Sequence, residues 1–207
     1  MSARGELRPR RRPSQERARD TVQAILEAAA QVFARHGYAA GTTNRIAQRA
    51  GVSIGTLYQY FPNKDAILVE LIGRHLAEGE AILRPLFDEL IERPPPLREG
   101  IERMLQALLE LHASEPALHR VLFEEAPRPP RLRVRLERSF ALASDALAAY
   151  LSSSEEVTVS DPRLAAELVV QSIESITHGL VIHPRSEVQP ARYVQEAALM
   201  LERYLTG

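Results

Sequence analysis

The sequence predicts an all-α protein of about nine helices. Apolar residues recur at three- and four-residue spacing through most of the 207 residues, which is the period of an amphipathic helix. Prolines interrupt this pattern, and strand signals are limited to the short run Val157-Thr158-Val159. An apolar content of 45% is enough for a real core, so the chain is expected to fold alone or as a dimer.

Charge divides the chain into a basic start and an acidic remainder. Residues 1–64 carry 11 Lys and Arg against 4 Asp and Glu, whereas residues 65–207 carry 15 against 23. Residues 1–13 hold five of these arginines without apolar periodicity, which predicts a disordered basic arm. The arm either lies along phosphates or is a solvated tail. A basic third on an acidic remainder is typical of a phosphate-binding head joined to a body that does not touch DNA.

The first predicted helix follows the arm and ends before Gly37. Its apolar face is formed by Ala18, Val22, Ile25, Leu26, Ala29 and Phe33. This helix is expected to complete the core of a small N-terminal domain.

Residues 42–61 predict two short helices joined by a tight turn. Thr42 or Thr43 is suited to cap the first helix, and Ser53 is suited to cap the second. Gly51 is expected to end the first helix, because glycine adopts the left-handed conformation at low cost.

The second of these helices has one inward face and one exposed face. Leu57 and Phe61 are one turn apart and are expected to face inward. The remaining positions are Ile54, Gly55, Thr56, Tyr58, Gln59 and Tyr60. Uncharged amides and hydroxyls suit base edges in the major groove and phosphate oxygens beside it. The pattern therefore favours a helix-turn-helix that binds double-stranded DNA over the alternative, a plain turn in a small three-helix domain.

This segment, together with the helix before it and the start of the helix after it, resembles the TetR family of bacterial transcriptional regulators at many positions. The residues that carry this resemblance are Ile25-Leu26, Ala28-Ala29, Phe33, Gly37-Tyr38, Thr42, Ile46-Ala47, Ala50-Gly51-Val52-Ser53, Gly55-Thr56-Leu57-Tyr58, Tyr60-Phe61, Lys64 and Leu68. It implies DNA-binding roles for individual positions. The implied phosphate contacts are Thr42, Thr43, Tyr58, Tyr60 and Lys64, with Arg45 as a further one, and Ser53 is counted among the DNA-binding residues without a specified contact. The implied contacts to the groove floor are Asn44, Ile54, Gly55, Thr56 and Gln59.

The residues that follow the helix-turn-helix are predicted to form a further series of helices. A long helix begins near Lys64 and is expected to kink or break at Pro85. Further helices are predicted over residues 97–114, 116–125, 131–153, 161–182 and 189–205. The resemblance implies that the long helix links a head of residues 14–64 to an effector-binding and dimerisation domain of residues 65–207.

The resemblance also implies a ligand cavity among the middle helices. The residues that suit its wall are Met104, Leu108, His112, Phe123 and Phe140, although each also fits plain core packing. An apolar or aromatic effector is expected, since no cluster of arginines clearly faces inward. The favoured function is a transcriptional repressor that a small-molecule effector releases from its operator. The alternatives are an effector-independent architectural DNA-binding protein and, less favoured, a helical enzyme that retains the head as an interaction module.

Catalysis and metal binding are not expected. The sequence lacks a glycine-rich phosphate loop, a nucleophile elbow and paired Glu-x-x-His motifs. Glu174 and His178 are four residues apart and are interpreted as a helix-stabilising pair, as are Glu115 and His119. His112 shares a face with His119, and both are interpreted as histidines at the edge of the core. We therefore expect no enzyme activity, no cofactor and no metal site.

A homodimer on a pseudo-palindromic operator is expected, because a single head reads too few base pairs. The last two helices carry apolar stripes suited to four-helix packing across a two-fold axis. The proposed interface residues are Leu164, Leu168, Ile173, Ile176, Val194, Ala198, Leu201 and Leu205. The alternative is that both stripes face the protein's own core.

The compartment is predicted from what the chain lacks. There is no cysteine, so disulfides and thiol chemistry are excluded. No apolar run approaches 18 residues, and the basic N-terminus has no apolar segment behind it. A cytoplasmic protein without a membrane partner is expected.

Overall fold

The computed structural model describes residues 14–184 and 189–207, and the regular structure in them is entirely helical. The α-helices of this part of the chain are α1 (Ser14–Ala40), α2 (Thr43–Ala50), α3 (Ile54–Tyr60), α4 (Lys64–Glu92), α5 (Leu97–Ala113), α6 (Pro116–Arg120), α7 (Pro130–Ser153), α8 (Pro162–Ile182) and α9 (Pro190–Thr206). A π-helical turn, Val121–Glu125, continues α6. The predicted all-α class with about nine helices is confirmed. The predicted basic arm of residues 1–13 lies outside the described residues.

The chain forms two compact units, one ending at Ile67 and the other running from Leu68 to Gly207. In the first unit α1 packs on α2, and α2 packs on α3. Fully buried side chains from these helices form its core: Ile25, Leu26, Phe33, Ile46 and Leu57. The inward face predicted for the helix-turn-helix is therefore the one that the fold buries.

The helical backbone of the first part of α1 ends before Gly37, as the sequence predicted. Gly37 itself is non-helical, with a φ of 71° and a ψ of 172°, and a second short helical stretch then runs to Ala40. A positive φ is strained for any residue with a Cβ, so glycine is required at this bend. One final helical turn then leads into the start of α2.

The second unit is built around α5 and α8. Helix α5 packs on α8 and α9, while α7 packs along α8. Tyr150 is fully buried and lies so close to Gly100 that any Cβ there would collide with its hydroxyl. The hydroxyl has no hydrogen-bond partner among the described residues. Glycine at position 100 is therefore a packing requirement of the α5–α7 contact.

Helix α4 runs through Pro85 without a break, so of the predicted kink or break the break does not occur. A proline inside a helix removes one backbone hydrogen bond and costs about 3 kcal/mol. Buried side chains on both sides of the proline offset that cost, because Leu83 and Leu86 pack against the core and Phe87 and Leu90 lie within it. Tertiary packing thus stabilises α4 at a position where the proline alone would interrupt the helix.

Within the described residues, no helix combines the length and the apolar character that crossing a membrane requires.

Candidate functional site

The turn between α2 and α3 is capped on both sides. The Thr42 side chain accepts a hydrogen bond from the Arg45 backbone N–H at 3.3 Å, and the Ser53 side chain accepts one from the Thr56 N–H at 3.0 Å. Gly51 ends α2 in the left-handed conformation, with a φ of 69°. Each cap satisfies a backbone donor that the helix itself cannot pair. The two helices are therefore joined rigidly, as the sequence predicted.

The outer face of α3 is open to solvent. Leu57 is fully buried, whereas Tyr58 is 50% exposed and Ile54 is 38% exposed. Gln59 and Gly55 are exposed, and only the Ser53 hydroxyl, at 3.7 Å, approaches the place where a Cβ on Gly55 would lie. The backbone of α3 is therefore accessible at its first turn.

The α2 and α3 hydroxyls form one small group. The Thr43 Oγ1 and Tyr58 hydroxyl lie 3.1 Å apart, and either atom can donate the hydrogen. One of the two hydroxyl protons is used inside the pair, which leaves the other free for an outside acceptor. The predicted pair of phosphate-contacting residues is thus held together before any ligand arrives.

Lys64 and Arg45 are positioned by backbone carbonyls. The Lys64 ammonium donates to the Tyr38 carbonyl at 2.7 Å and lies 4.0 Å from the centre of the Tyr38 ring. The Arg45 guanidinium donates to the Ala40 carbonyl at 2.9 Å. Both side chains keep further N–H donors, since an ammonium has three and a guanidinium five. The tyrosine hydroxyl itself donates to Asp65, and burial together with that bond raises the pKa of Tyr38.

The second unit contains a cavity of about 900 Å³. Its apolar wall comes from α4, α5, α7, α8 and the π-helical turn, and includes Leu76, Leu83, Phe87, Leu108, Leu111, Phe123, Leu136, Phe140, Ala143, Val170 and Ile182. Arg84 and Arg128 also line it, although Arg84 is paired with Glu80 at 2.6 Å and Arg128 donates to the Phe123 carbonyl at 3.0 Å. The volume lies at the upper end of the roughly 300–1,000 Å³ typical of small-molecule sites.

Four of the five residues predicted for the cavity wall line it: Leu108, His112, Phe123 and Phe140. Met104 is instead buried in the core beside Leu105 and Val169. Helix α5 turns one face to the cavity and another to the core. Met104 and Leu108 are one turn apart, so their periodicity alone could not separate the two surroundings.

Histidines from four segments meet at one wall of this cavity. His75 of α4, His112 of α5 and His178 of α8 line the wall, and His119 of α6 packs against them. The ring centroids of His112 and His119 are 4.3 Å apart, those of His112 and His178 are 4.4 Å apart, and those of His75 and His119 are 5.1 Å apart. We call these four residues the histidine cluster.

The histidine cluster is poor in hydrogen bonds. His112 and His119 are each only 3% exposed. Among the described residues, no hydrogen-bond partner reaches His112 Nδ1, either ring nitrogen of His119, or His178 Nε2. Each unpaired buried polar group costs about 1–3 kcal/mol. So many unpaired nitrogens in one place require an explanation.

Burial also keeps the cluster uncharged. Desolvation, followed by the neighbouring histidines, lowers the pKa of His112 to about 2 and that of His119 to about 3. The same desolvation lowers the pKa of His178 to about 4 and raises that of Glu174 to about 7. A Glu174 carboxylate oxygen lies 3.4 Å from His178 Nε2 and 3.9 Å from His112 Nε2. The imidazoles are therefore neutral near pH 7, beside one carboxyl group.

Sequence reasoning found only parts of this cluster. It placed His112 and His119 on one face, and it paired Glu174 with His178 along one helix. It had no means of bringing these two pairs together or of adding His75, because the rings come from helices 37 to 103 residues apart in the chain. The available signal was that these four histidines lie on helix faces that also carry apolar residues.

The outer surface of α8 and α9 differs from the predicted dimer interface. Leu164 and Leu168 of α8 are 52% and 45% exposed, and Ile176 is half-buried. Five of the predicted interface residues are instead buried in the protein's own core: Ile173, Val194, Ala198, Leu201 and Leu205. The large exposed apolar residues of α9 are instead Met200 and Tyr204. Helix α9 has two partly apolar faces, and the one chosen from the sequence is the inner one.

Comparison with known proteins agrees with this architecture. The family described as "Bacterial regulatory proteins, tetR family" matches residues 25–71, and the one described as "Tetracyclin repressor-like, C-terminal domain" matches residues 96–205. An uncharacterized HTH-type transcriptional regulator of Bacillus subtilis, YhgD, is 33% identical over 107 residues, which is 52% of this chain and 54% of YhgD. The HTH-type transcriptional repressor KstR of Mycolicibacterium smegmatis is 38% identical over 66 residues, which is 32% of each protein. The chain thus aligns with about half of the first relative's length and a third of the other's.

Solved structures match over most of their length. The transcriptional regulator FadR from Bacillus subtilis, in complex with stearoyl-CoA, is 25% identical and superposes with a TM-score of 0.67, covering 86% of this chain and 96% of FadR. The C-terminal family match alone spans more than half of the 207 residues. The chain therefore belongs to the TetR family of bacterial regulatory proteins.

Proposed function

We propose that this protein is a DNA-binding transcriptional repressor whose affinity for its operator is lowered by an apolar small molecule bound in the second unit. The observation that carries the proposal is the combination, in one chain, of a capped helix-turn-helix with an exposed recognition face and a separate cavity of about 900 Å³. The relative KstR is described as a repressor, which supports the direction of the effect.

Helix α3 enters the major groove in this proposal. Gln59, Thr56 and Asn44 read base edges, with Ile54 and Gly55 in close contact with the groove floor. The Thr43–Tyr58 pair, Thr42, Tyr60, Lys64 and Arg45 bind phosphates. Because Lys64 and Arg45 are already oriented by carbonyls, they lose little further side-chain freedom on binding.

Two copies of the chain bind a pseudo-palindromic operator. The support is the outer surface of α8 and α9, where large apolar side chains are exposed on neighbouring helices: Leu164, Leu168, Met200 and Tyr204. Pairing these surfaces across a two-fold axis buries them in a four-helix contact. The dimer then holds two heads for two half-sites.

The effector acts by differential affinity. It must bind the DNA-incompetent state more tightly than the competent one, since equal binding to both would shift nothing. Helix α4 is the coupling element, because it begins at Lys64 in the head and lines the cavity with Leu76, Leu83 and Phe87. The cavity wall is mostly apolar. The stearoyl-CoA complex of FadR makes acyl compounds the first class to test.

The DNA-binding step is tested with sites selected from genomic or random DNA. Wild type is compared with a Tyr58→Ala/Lys64→Ala variant by fluorescence anisotropy at several salt concentrations. The double variant should bind more weakly and flatten the salt dependence by about one phosphate contact, a slope change near 0.9. Arg93→Ala, which changes the same charge in the second unit, is the matched control. Equal DNA affinity of wild type and double variant contradicts the assignment.

The dimer is tested by light scattering at micromolar concentration. Leu168→Glu/Met200→Glu places charges on the outer surface of α8 and α9 without touching the core, and it should yield monomers with weak operator binding. Val134→Glu changes another exposed apolar residue, 63% exposed on α7, and should remain dimeric. A monomeric wild type, or a double variant that stays dimeric, refutes the proposed interface.

The alternative of an architectural DNA-binding protein has no use for a cavity of this size. It predicts that no member of a panel of fatty acids, acyl-CoAs and aromatic compounds changes operator affinity. If one compound weakens DNA binding tenfold, the regulated repressor is supported and the architectural protein is excluded. A tenfold change corresponds to about 1.4 kcal/mol of differential binding.

A further inference from the structure

We propose that the histidine cluster binds one divalent transition-metal ion, zinc or a neighbouring late first-row metal, through imidazole nitrogens of His75, His112 and His119, with His178 and Glu174 completing the site. This inference is independent of the proposed regulation, because it concerns metal binding by the second unit alone. It contradicts the expectation from the sequence that no metal site is present.

The donor atoms converge as a metal site requires. One donor atom from each of His75, His112 and His119 lies within 4.8 Å of the other two, and the same holds for His112, Glu174 and His178. Nitrogens bound to one tetrahedral ion at about 2.0 Å are roughly 3.3 Å apart, so small side-chain rotations close the site. His112 belongs to both groups, which places it at the centre of the site.

The ring arrangement is also compatible with a shared ion. Two imidazoles bound to one tetrahedral zinc ion have ring centroids roughly 5 Å apart, given a Zn–N distance of about 2.0 Å. The five ring pairs in contact within the histidine cluster have centroid separations from 4.3 Å to 5.5 Å. A shared ion would account for these separations.

The unpaired nitrogens are the second observation that points to a ligand. His112 and His119 are 97% buried, since each is 3% exposed, and three of their four ring nitrogens have no hydrogen-bond partner among the described residues. A metal ion would satisfy the nitrogens that face it.

The chemistry of the donors selects the metal. Imidazole suits zinc, copper, iron and nickel, whereas magnesium and calcium prefer oxygen ligands. Three histidines also bind zinc in sites whose fourth position takes a further ligand, and His178 or Glu174 can fill that position here. The Glu174 carboxylate, at 3.4 Å and 3.9 Å from two ring nitrogens, offsets part of the charge of a divalent ion.

The ion would tie together four segments of the second unit. Its ligands come from α4, α5, α6 and α8, and a ligand that binds only the folded state raises the unfolding temperature. Chelator treatment of metal-loaded protein should therefore lower the melting temperature, and zinc should restore it. Magnesium should have no such effect.

The test uses the full chain without an affinity tag, stripped with a chelator and titrated with Zn²⁺ and Co²⁺. We expect one ion per chain by calorimetry, and a visible Co²⁺ absorption whose intensity and position report nitrogen ligands. His112→Gln should weaken Zn²⁺ binding at least 100-fold and alter the Co²⁺ spectrum, because it removes the shared ligand. His75→Gln repeats the same two measurements. Because His75 is only half-buried, this substitution should disturb folding less than His112→Gln does.

Matched controls come from the two histidines outside the cluster. His36→Gln and His183→Gln remove exposed imidazoles and should leave stoichiometry, affinity and spectrum unchanged. Circular dichroism of each metal-free variant checks that it is folded. The proposal is overturned if stripped wild type binds no Zn²⁺ at micromolar concentration, or if His75→Gln and His112→Gln bind Zn²⁺ as wild type does. All these measurements omit DNA, so their failure would leave the proposed repressor intact.

Discussion

The two units of this protein differ in how their candidate sites are assembled. In the first unit the proposed DNA-binding residues all lie between Thr42 and Lys64, and hydrogen bonds between near neighbours position Thr42, Arg45 and Ser53 among them. In the second unit, the cavity is lined by residues that range from His75 to Ile182. A site made from contiguous sequence can be recognised from local pattern. A site made by convergence cannot.

The largest effect is expected from a glycine substitution in the interior of the second unit. Gly100→Val should destabilise the second unit by about 3 kcal/mol, because the new side chain meets the buried Tyr150 ring and hydroxyl. Denaturant unfolding monitored by circular dichroism measures the change. Gly179→Ala is the control within the same unit, since nothing lies within 4 Å of its added Cβ.

Gly179→Ala should leave stability equal or raise it by up to about 1 kcal/mol, because alanine favours a helix interior more than glycine does. If the Gly100 and Gly179 variants were equally stable, the close contact between α5 and α7 would not be rigid. The packing account of Gly100 would then be wrong.

A smaller effect, confined to one function, is expected from filling the cavity. Leu108→Trp adds bulk at the wall and should reduce the affinity for a cavity ligand about tenfold or more, while operator affinity without ligand stays the same. Val134→Trp adds the same bulk on the exposed surface of α7 and should leave both affinities unchanged. Parallel loss of DNA binding and ligand binding in Leu108→Trp would contradict separate sites in the two units.

The smallest effect on stability should come from Gly55→Ala in the first unit. The added methyl group meets only the Ser53 hydroxyl at 3.7 Å, so the free protein should become more stable by roughly 0.5–1 kcal/mol. In the proposed complex the same methyl group stands where the helix backbone approaches DNA, so operator affinity should fall. Unchanged affinity would remove Gly55 from the proposed contact surface, and thermal unfolding with parallel anisotropy measurements distinguishes the outcomes.

These variants also separate two reasons for a glycine that look alike in the sequence. Gly100 makes room for another part of the same protein, whereas Gly55 is exposed and, in the proposed complex, lets DNA approach the backbone. Gly51 has a third reason, a positive φ at the end of α2. Only Gly51 could be explained from its neighbours in the chain, because its turn geometry is local.

The amino-acid sequence by itself determined the helical class, most helix boundaries in the body and the organisation of the helix-turn-helix. Helix periodicity, caps and prolines act over a few residues, so these features are encoded locally. The exception was Pro85, where α4 continues because packing of Phe87 and Leu90 outweighs a lost backbone bond.

Only the tertiary structure decided which apolar faces are buried and which distant residues meet. Periodicity identifies a stripe on a helix but not its partner, and so Met104 and Leu201 were assigned to a cavity and an interface while the fold places both in the core. The histidine cluster depends on the packing of α4, α5, α6 and α8 together. Contacts between residues so far apart in sequence are set by the packing of whole helices, which no local pattern contains.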